Sequence, residues 1–317
     1  MTVSTPSNDH ANRGYIIAVA SAFLLSLTGI LIRFLTTNYQ LPALILAFWR
    51  ALMVFGTLAI FLALWKKDLL KVPLKHLPYI AIYGFVLAVF NSTWTLSVAI
   101  NGAAVATVMV YCSAAFTVLL AWIFLKESLG WGKLLAVALS LGGCLLVSGA
   151  LHLESWQANL MGISTGILAG LCYAVYSLMG RSASQRGIQP WTTLFYIFGF
   201  DTLFLLVFNL IPGGLIPDAS AGFTNLVWPA LDWFGWLVLF ILAAAPTLLG
   251  FGTYLVSLSY LPSGVVNLIA TLEPLFTATL AFFIFGEQLT LVQLVGGVLI
   301  LGGVVVIRIT EGLRKVG

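Results

Sequence analysis

The stretch Leu272–Leu289, LEPLFTATLAFFIFGEQL, is apolar almost throughout, yet it sets Glu273 beside Pro274. A carboxylate is costly in lipid, and a proline inside a helix removes a backbone donor. A membrane helix tolerates the pair only where protein or a water-lined cavity meets the charge and the freed carbonyls. The rest of the chain supports the membrane setting. Its 317 residues are 61% hydrophobic and 8% charged, with mean hydropathy +1.08. A soluble domain carries about a quarter charged residues. The net charge of +4 forms no basic stripe once the loop lysines are assigned to membrane topology, so no nucleic-acid partner is expected. Cys112, Cys144 and Cys172 lie inside apolar runs and read as small packing residues.

A lipid-spanning helix needs roughly 20 apolar residues. Breaks in the apolar runs give ten spans, at about 15–36, 43–64, 77–98, 103–124, 131–150, 160–180, 191–211, 233–258, 263–285 and 290–309. The very short third-to-fourth and eighth-to-ninth connections predict tight helical hairpins. Residues 1–14 are polar and are expected to be a disordered cytoplasmic N-terminus. Ala18–Ala20 imitates a signal-peptidase site, but the apolar run continues past it, so a first membrane helix is expected. With the N-terminus inside, Arg13, Lys66, Lys67, Lys71, Lys75, Lys126, Lys133, Arg181, Arg186, Arg308, Arg314 and Lys315 all fall on the cytoplasmic side. Glu154, Asp218, Asp232 and Glu287 fall on the other. This obeys the positive-inside rule and predicts a multi-pass bacterial inner-membrane protein with both termini cytoplasmic.

The opening stretch has a twin. Tyr111–Leu129, YCSAAFTVLLAWIFLKESL, aligns without gaps to Thr271–Leu289 at an offset of 160. Phe116 matches Phe276, Ala121 matches Ala281, Glu127 matches Glu287, and Leu141-Gly142-Gly143 matches Leu301-Gly302-Gly303. The first two spans match the sixth and seventh at an offset of 148, pairing Gly14 with Gly162, Arg33 with Arg181 and Pro42 with Pro190. Five spans per half force the second half to enter the membrane upside down. The expected organisation is a first five-helix repeat over 15–150, an extracytoplasmic linker over 151–159, a second repeat over 160–309 and a cytoplasmic tail over 310–317. The fold class is an all-α polytopic membrane protein, ten transmembrane helices in two inverted five-helix repeats. That architecture belongs to transporters with a substrate site near the midplane.

The segments FTVLLAWIFLKESL and LEPLFTATLAFFIFGEQL each follow a short hairpin and precede a Gly-Gly helix. This pattern resembles the drug/metabolite transporter superfamily, and within it the ten-helix EamA family. FWRAL at Phe48–Leu52 resembles the arginine of that family's second helix. The likeness spans Gly14 to Arg308, and the aromatic-rich interior is similar to YddG-type amino-acid exporters. One departure is that Ser113-Ala114 stands where the second repeat has Glu273-Pro274, so the halves differ in chemistry. The resemblance implies secondary transport of a small solute by alternating access.

Arg50, Asp201 and Glu273 are the intramembrane charges. Counted from Pro42, Pro190 and Pro262 at ~1.5 Å per residue, they lie about 12–16 Å deep, near the midplane. Two readings stand side by side: Glu273 couples protons or binds a solute amine, or Arg50 pairs structurally with Glu273 or Asp201. Pro246 and Pro274 are expected helix breaks, which mark transporter sites or static kinks. Polar and aromatic residues recur at helical spacing: Asn91, Trp94 and Thr95; Thr107 and Tyr111; Tyr173, Tyr176 and Ser177; Thr247, Phe251 and Tyr254; Asn267 and Thr271. Any one of them suits helix packing. Together, on helices that the resemblance places around a central cavity, Asn91, Trp94, Tyr111, Tyr173, Tyr176, Ser177, Tyr254, Asn267 and Glu273 are the expected solute-binding set.

No phosphate-binding G-x-x-x-x-G-K-[ST] loop is present, so ATP does not drive this chain directly. The three histidines lie in termini or loops, and no cofactor, metal site or catalytic residue is expected. Expected partners are a small-molecule solute, the lipid bilayer and, through Glu273, protons. A monomer is expected, with a homodimer as the alternative. Other functional readings are a drug or organic-cation exporter, and outside transport a membrane enzyme or scaffold.

Overall fold

The computed structural model describes residues 8–147, 160–211, 218–220, 222–285 and 290–313. Among these every regular element is helical. The main helices are α1 (Asn8–Asn38), α2 (Ala43–Trp65), α3 (Leu77–Tyr111), α4 (Ser113–Leu125), α5 (Trp131–Val147), α6 (Leu160–Gln185), α7 (Pro190–Leu210), α8 (Trp233–Leu242), α9 (Leu248–Tyr260), α10 (Ser263–Ala270), α11 (Glu273–Phe285) and α12 (Leu291–Leu313). A π segment, Ala243–Thr247, joins α8 to α9. Among the described residues seven runs are long and apolar enough to cross a membrane, and the shorter Met109–Leu125 and Trp131–Val147 are apolar too. Large apolar side chains such as Trp131, Phe283 and Leu291 are exposed, as expected where lipid is the solvent.

Residues 77–111 form one unbroken run of helical residues, but they are not one rod. Ser97 Oγ and Met109 Cβ both lie 2.8 Å from where a Cβ on Gly166 would stand. A straight helix would hold residues 97 and 109 ~18 Å apart. The chain therefore doubles back between them, giving the third and fourth crossings. The α9–α10 reversal at Leu261–Pro262 is its partner in the second half.

The inverted relation appears in how repeat mates meet. Gly132 packs on Thr310, Ser140 on Gly303, and Gly143 on Gly296 and Ile300, so α5 and α12 run antiparallel. The α3–α6 pairing, with Tyr83 against Gly180 and Ser97 donating to Gly162 O at 3.5 Å, has its mate in α1 against α9. There Gly14 meets Tyr260 and Ser21 donates to Gly250 O at 2.8 Å. Gly143 of LGG and Gly296 and Gly303 of GGVLILGG thus serve packing within the chain. A Cβ on Gly143 would stand 2.6 Å from Gly296 O, and one on Gly296 2.8 Å from Gly143 O. Small residues let membrane helices approach this closely.

Of residues 1–14, expected to be disordered, 8–14 are instead helical, since α1 begins at Asn8, and residues 1–7 lie outside the described residues. Its polar first turns are held from α12, where Arg308 donates to Asn12 Oδ1 at 3.2 Å and lies over the Tyr15 ring. Likewise α12 continues to Leu313, past the expected start of the tail. The linker 151–159, with Glu154, and the Gly286-Glu287 pair lie outside the described residues. Outside the spans, Asp232 caps α8, accepting from Gly235 N at 2.7 Å and Tyr39 Oη at 2.9 Å. Those two bonds, the backbone one foremost, hold its carboxyl below the usual range.

Candidate functional site

A small central cavity lies between the repeats, lined by Leu25, Thr28, Arg50, Phe90, Asn91, Trp94, Val110, Tyr111, Tyr173, Phe251 and Glu273. It measures about 50 Å³, room for a few waters at ~10–15 Å³ each. Five of the expected solute residues meet here: Asn91, Trp94, Tyr111, Tyr173 and Glu273.

Glu273 reaches the cavity from the first turn of α11. The backbone loosens just before it. Leu272 N bonds three residues back to Ile269 O at 3.0 Å, and Phe276 N resumes the α pattern to Leu272 O at 3.0 Å. The same offset-160 pattern recurs in the first half, where Cys112 N bonds to Met109 O at 3.2 Å and Phe116 N to Cys112 O at 3.2 Å. No proline stands there, so the break belongs to the repeat. Pro274 sits inside the first turn of α11, where its missing N–H leaves no bond unmade. Pro246 lies in the π segment, where Thr247 Oγ1 donates to Leu242 O at 2.7 Å.

The two charge centres are wired differently. Tyr111 Oη donates to Glu273 Oε2 at 2.6 Å, a short O–H···O bond. Arg50 Nη2 donates to Asn91 Oδ1 at 2.8 Å, and Asn91 Nδ2 donates to Asp201 Oδ2 at 3.0 Å. Arg50 is 2% exposed, Asn91 2% and Asp201 0%. The Arg50 partnership therefore runs to Asp201, through an amide that accepts on one side and donates on the other. No Arg50–Glu273 salt bridge is present among the described residues. Asp201 stands behind Asn91, away from the cavity wall, and its Oδ1 has no hydrogen-bond partner.

Tyr176, Ser177, Tyr254 and Asn267 do not line the cavity. They form a buried layer beside it. Ser177 Oγ and Tyr254 Oη lie 2.6 Å apart, Asn267 Nδ2 donates to Ser177 Oγ at 3.2 Å, and Ser113 Oγ donates to Asn267 Oδ1 at 3.1 Å. Tyr176 packs between Tyr83, at 4.9 Å between centroids, and Phe251, at 5.7 Å. Tyr173 bridges layer and cavity, stacked on Phe90 at 5.2 Å and 24°. This aromatic layer lies between the cavity and the lysine-bearing end, where Tyr79 packs on Tyr83 and Arg186 caps the Tyr79 ring.

At the opposite end a wider vestibule of about 440 Å³ is lined by Ile32, Thr36, Thr37, Gln40, Leu41, Pro42, Ala43, Leu46, Trp94, Thr95, Val98 and Asp218. Trp94 borders both spaces. Sequence reasoning missed Leu25, Thr28, Phe90 and Val110. The repeat held the signal for two of them: the offset of 148 carries Tyr173 to Leu25 and Tyr176 to Thr28.

Comparison with known proteins bears on the family and the fold. A protein of Archaeoglobus fulgidus named an uncharacterized transporter is 28% identical over 224 residues, covering 69% of this chain and 74% of that one. The Bacillus subtilis uncharacterized transporter YdfC is 29% identical over 258 residues, covering 80% and 78%. A solved crystal structure superposes with TM-score 0.75 at 16% identity, covering 94% of this chain and 96% of its own, which bears on the fold alone. The profile of the EamA-like transporter family matches residues 12–149 and again 160–309, the two repeats in turn. The chain is a multi-pass membrane protein that belongs to the EamA-like transporter family.

Proposed function

We propose that the chain exports small amphipathic metabolites, with amino acids as the substrate class, by alternating access, in the manner of YddG-type exporters. One observation carries the reading: Arg50 and Glu273 stand on the wall of one cavity whose other walls include Phe90, Trp94, Tyr111, Tyr173 and Phe251. A zwitterion would offer its amine to Glu273, its carboxylate to Arg50 and its side chain to the rings. A cavity of about 50 Å³ must widen to take such a solute, as alternation between two states requires. The setting proposed is a bacterial inner membrane, both termini cytoplasmic, the chain acting as a monomer.

Glu273 is proposed to couple solute movement to proton movement or to bind the amine. A carboxylate at this depth is costly when charged, so one that holds a proton when dry and releases it when wet can carry that proton. Purified protein in liposomes tests both points, with a panel of amino acids set against organic cations. If Glu273 couples, Glu273→Gln still exchanges solute for solute and no longer responds to an imposed pH gradient. If it binds the amine, affinity falls at every pH. Wild-type affinity and pH response in the folded Gln variant would remove Glu273 from the mechanism.

The Arg50–Asn91–Asp201 chain favours a second reading. Arg50 is already balanced by Asp201, which leaves Glu273 as the cavity's unmatched charge and suits an organic cation. Transport of the cations and none of the amino acids would select it.

A further inference from the structure

The repeat aligns Glu127 with Glu287, and Glu127 does not line the central cavity, so binding there does not explain it. Its surroundings do. Helix α4 ends at Lys126, whose φ of 53° and ψ of 30° are left-handed, a conformation unfavourable for a residue with a Cβ. Lys126 N and Glu127 N both bond back to Ala121 O, the latter at 3.1 Å, closing the helix end. The next helix reached is α10, in the other repeat. Its N-cap, Pro262, offers no side-chain bond, and Glu127 supplies one instead. Oε1 accepts from Ser263 N at 3.1 Å and from Ser263 Oγ at 3.1 Å. Its partner oxygen lies 3.9 Å from Lys133 Nζ, itself only 5% exposed.

The other side of the same hairpin is held too. Arg181 Nη1 donates to Leu258 O at 2.7 Å, in the last turn of α9. A carboxylate at the start of α10 and a guanidinium at the end of α9 each complement a helix terminus. Arg181 belongs to the same repeat as the hairpin. Glu127 does not, so it ties one repeat to the other. Contact there is close: a Cβ on Gly264 would stand 3.1 Å from Val118 Cγ2.

We propose that Glu127 is the latch of the lysine-bearing end. Its bonds to Ser263 hold the first repeat against the α9–α10 hairpin while the opposite end keeps its vestibule, and they must break for this end to open. The proposal rests on the alternating-access reading above. The test places a reporter, Val110→Cys, on the cavity wall of a chain whose own cysteines have been replaced. A charged, membrane-impermeant methanethiosulfonate is added to right-side-out and to inside-out vesicles. Glu127→Ala is expected to speed labelling from the lysine-bearing face about tenfold and to slow it from the other face, since opening one end of such a carrier closes the other. Glu127→Gln, which keeps an acceptor and loses the charge, is expected between wild type and Ala. Should Glu127→Ala fail to fold, Glu127→Gln and Ser263→Ala report the same shift. Unchanged rates in folded variants would reduce Glu127 to a structural cap and overturn the proposal. So would equal gains from both faces, which would mean general loosening. Labelling needs no solute, so a failed substrate panel and a failed latch are told apart.

Discussion

At the residue scale, Asn91 links two charges that would otherwise be poor company for a dry interior. Its amide accepts a hydrogen bond from Arg50 and donates one to Asp201. Replacing it with leucine keeps most of the volume and removes both bonds. Breaking a buried ionic assembly by deleting one member costs about 3–5 kcal/mol, so Asn91→Leu should lower the melting temperature in detergent sharply. Adding Arg50→Met and Asp201→Leu removes both stranded charges and should restore part of the loss. If Asn91→Leu melts with wild type, the bridge does not hold the fold. One of the two sequence readings paired Arg50 with a carboxylate, but Asp201 and Glu273 lie at like depth, and depth alone could not choose between them. It also read Asn91 as a solute ligand. An amide between unlike charges leaves no trace in spacing, because its partners sit 41 residues before it and 110 after it.

Whole elements were more legible, because hydrophobic length and the repeat both survive in a one-dimensional string. The α11 break is a case where the string misled about cause. Pro274 drew attention to it, yet the first half loosens at Cys112 without a proline, at the same repeat position. The Gly-Gly helices show the converse: paired glycines signal close helix approach, but which glycine of each pair does the packing depends on rotation about the helix. Gly143 faces α12 at backbone contact, while nothing stands within 4 Å of a Cβ on Gly142. Gly143→Val should therefore force α5 and α12 apart and cost ~1–3 kcal/mol, the usual scale of overpacking. Gly142→Ala should be close to neutral, since it points away from the partner. Thermal melts of both variants decide it, and equal melting temperatures would mean that the interface yields without strain.

At the scale of the whole molecule, the antiparallel pairing of α5 with α12 and the mate pairs α3–α6 and α1–α9 require opposite insertion of the two halves. That relation does not say which end faces the cytoplasm, because turning the entire molecule over preserves every contact. Charge decides it. Lys66, Lys67, Lys71 and Lys75 gather beyond the C-terminal end of α2, while Asp218 stands at the vestibule, beside Pro42 at its N-terminal end. Lysine and arginine are retained on the cytoplasmic side during insertion, so the vestibule should open outward. Single cysteines at Ala219 and at the exposed Lys71 on a cysteine-free background read this out. In intact cells an impermeant thiol reagent should label Ala219→Cys and spare Lys71→Cys, and permeabilising the membrane should expose the second. Labelling of Lys71→Cys alone in intact cells would invert the whole molecule. The lysine-bearing end would then be the outer one, and the direction assigned to transport would reverse with it.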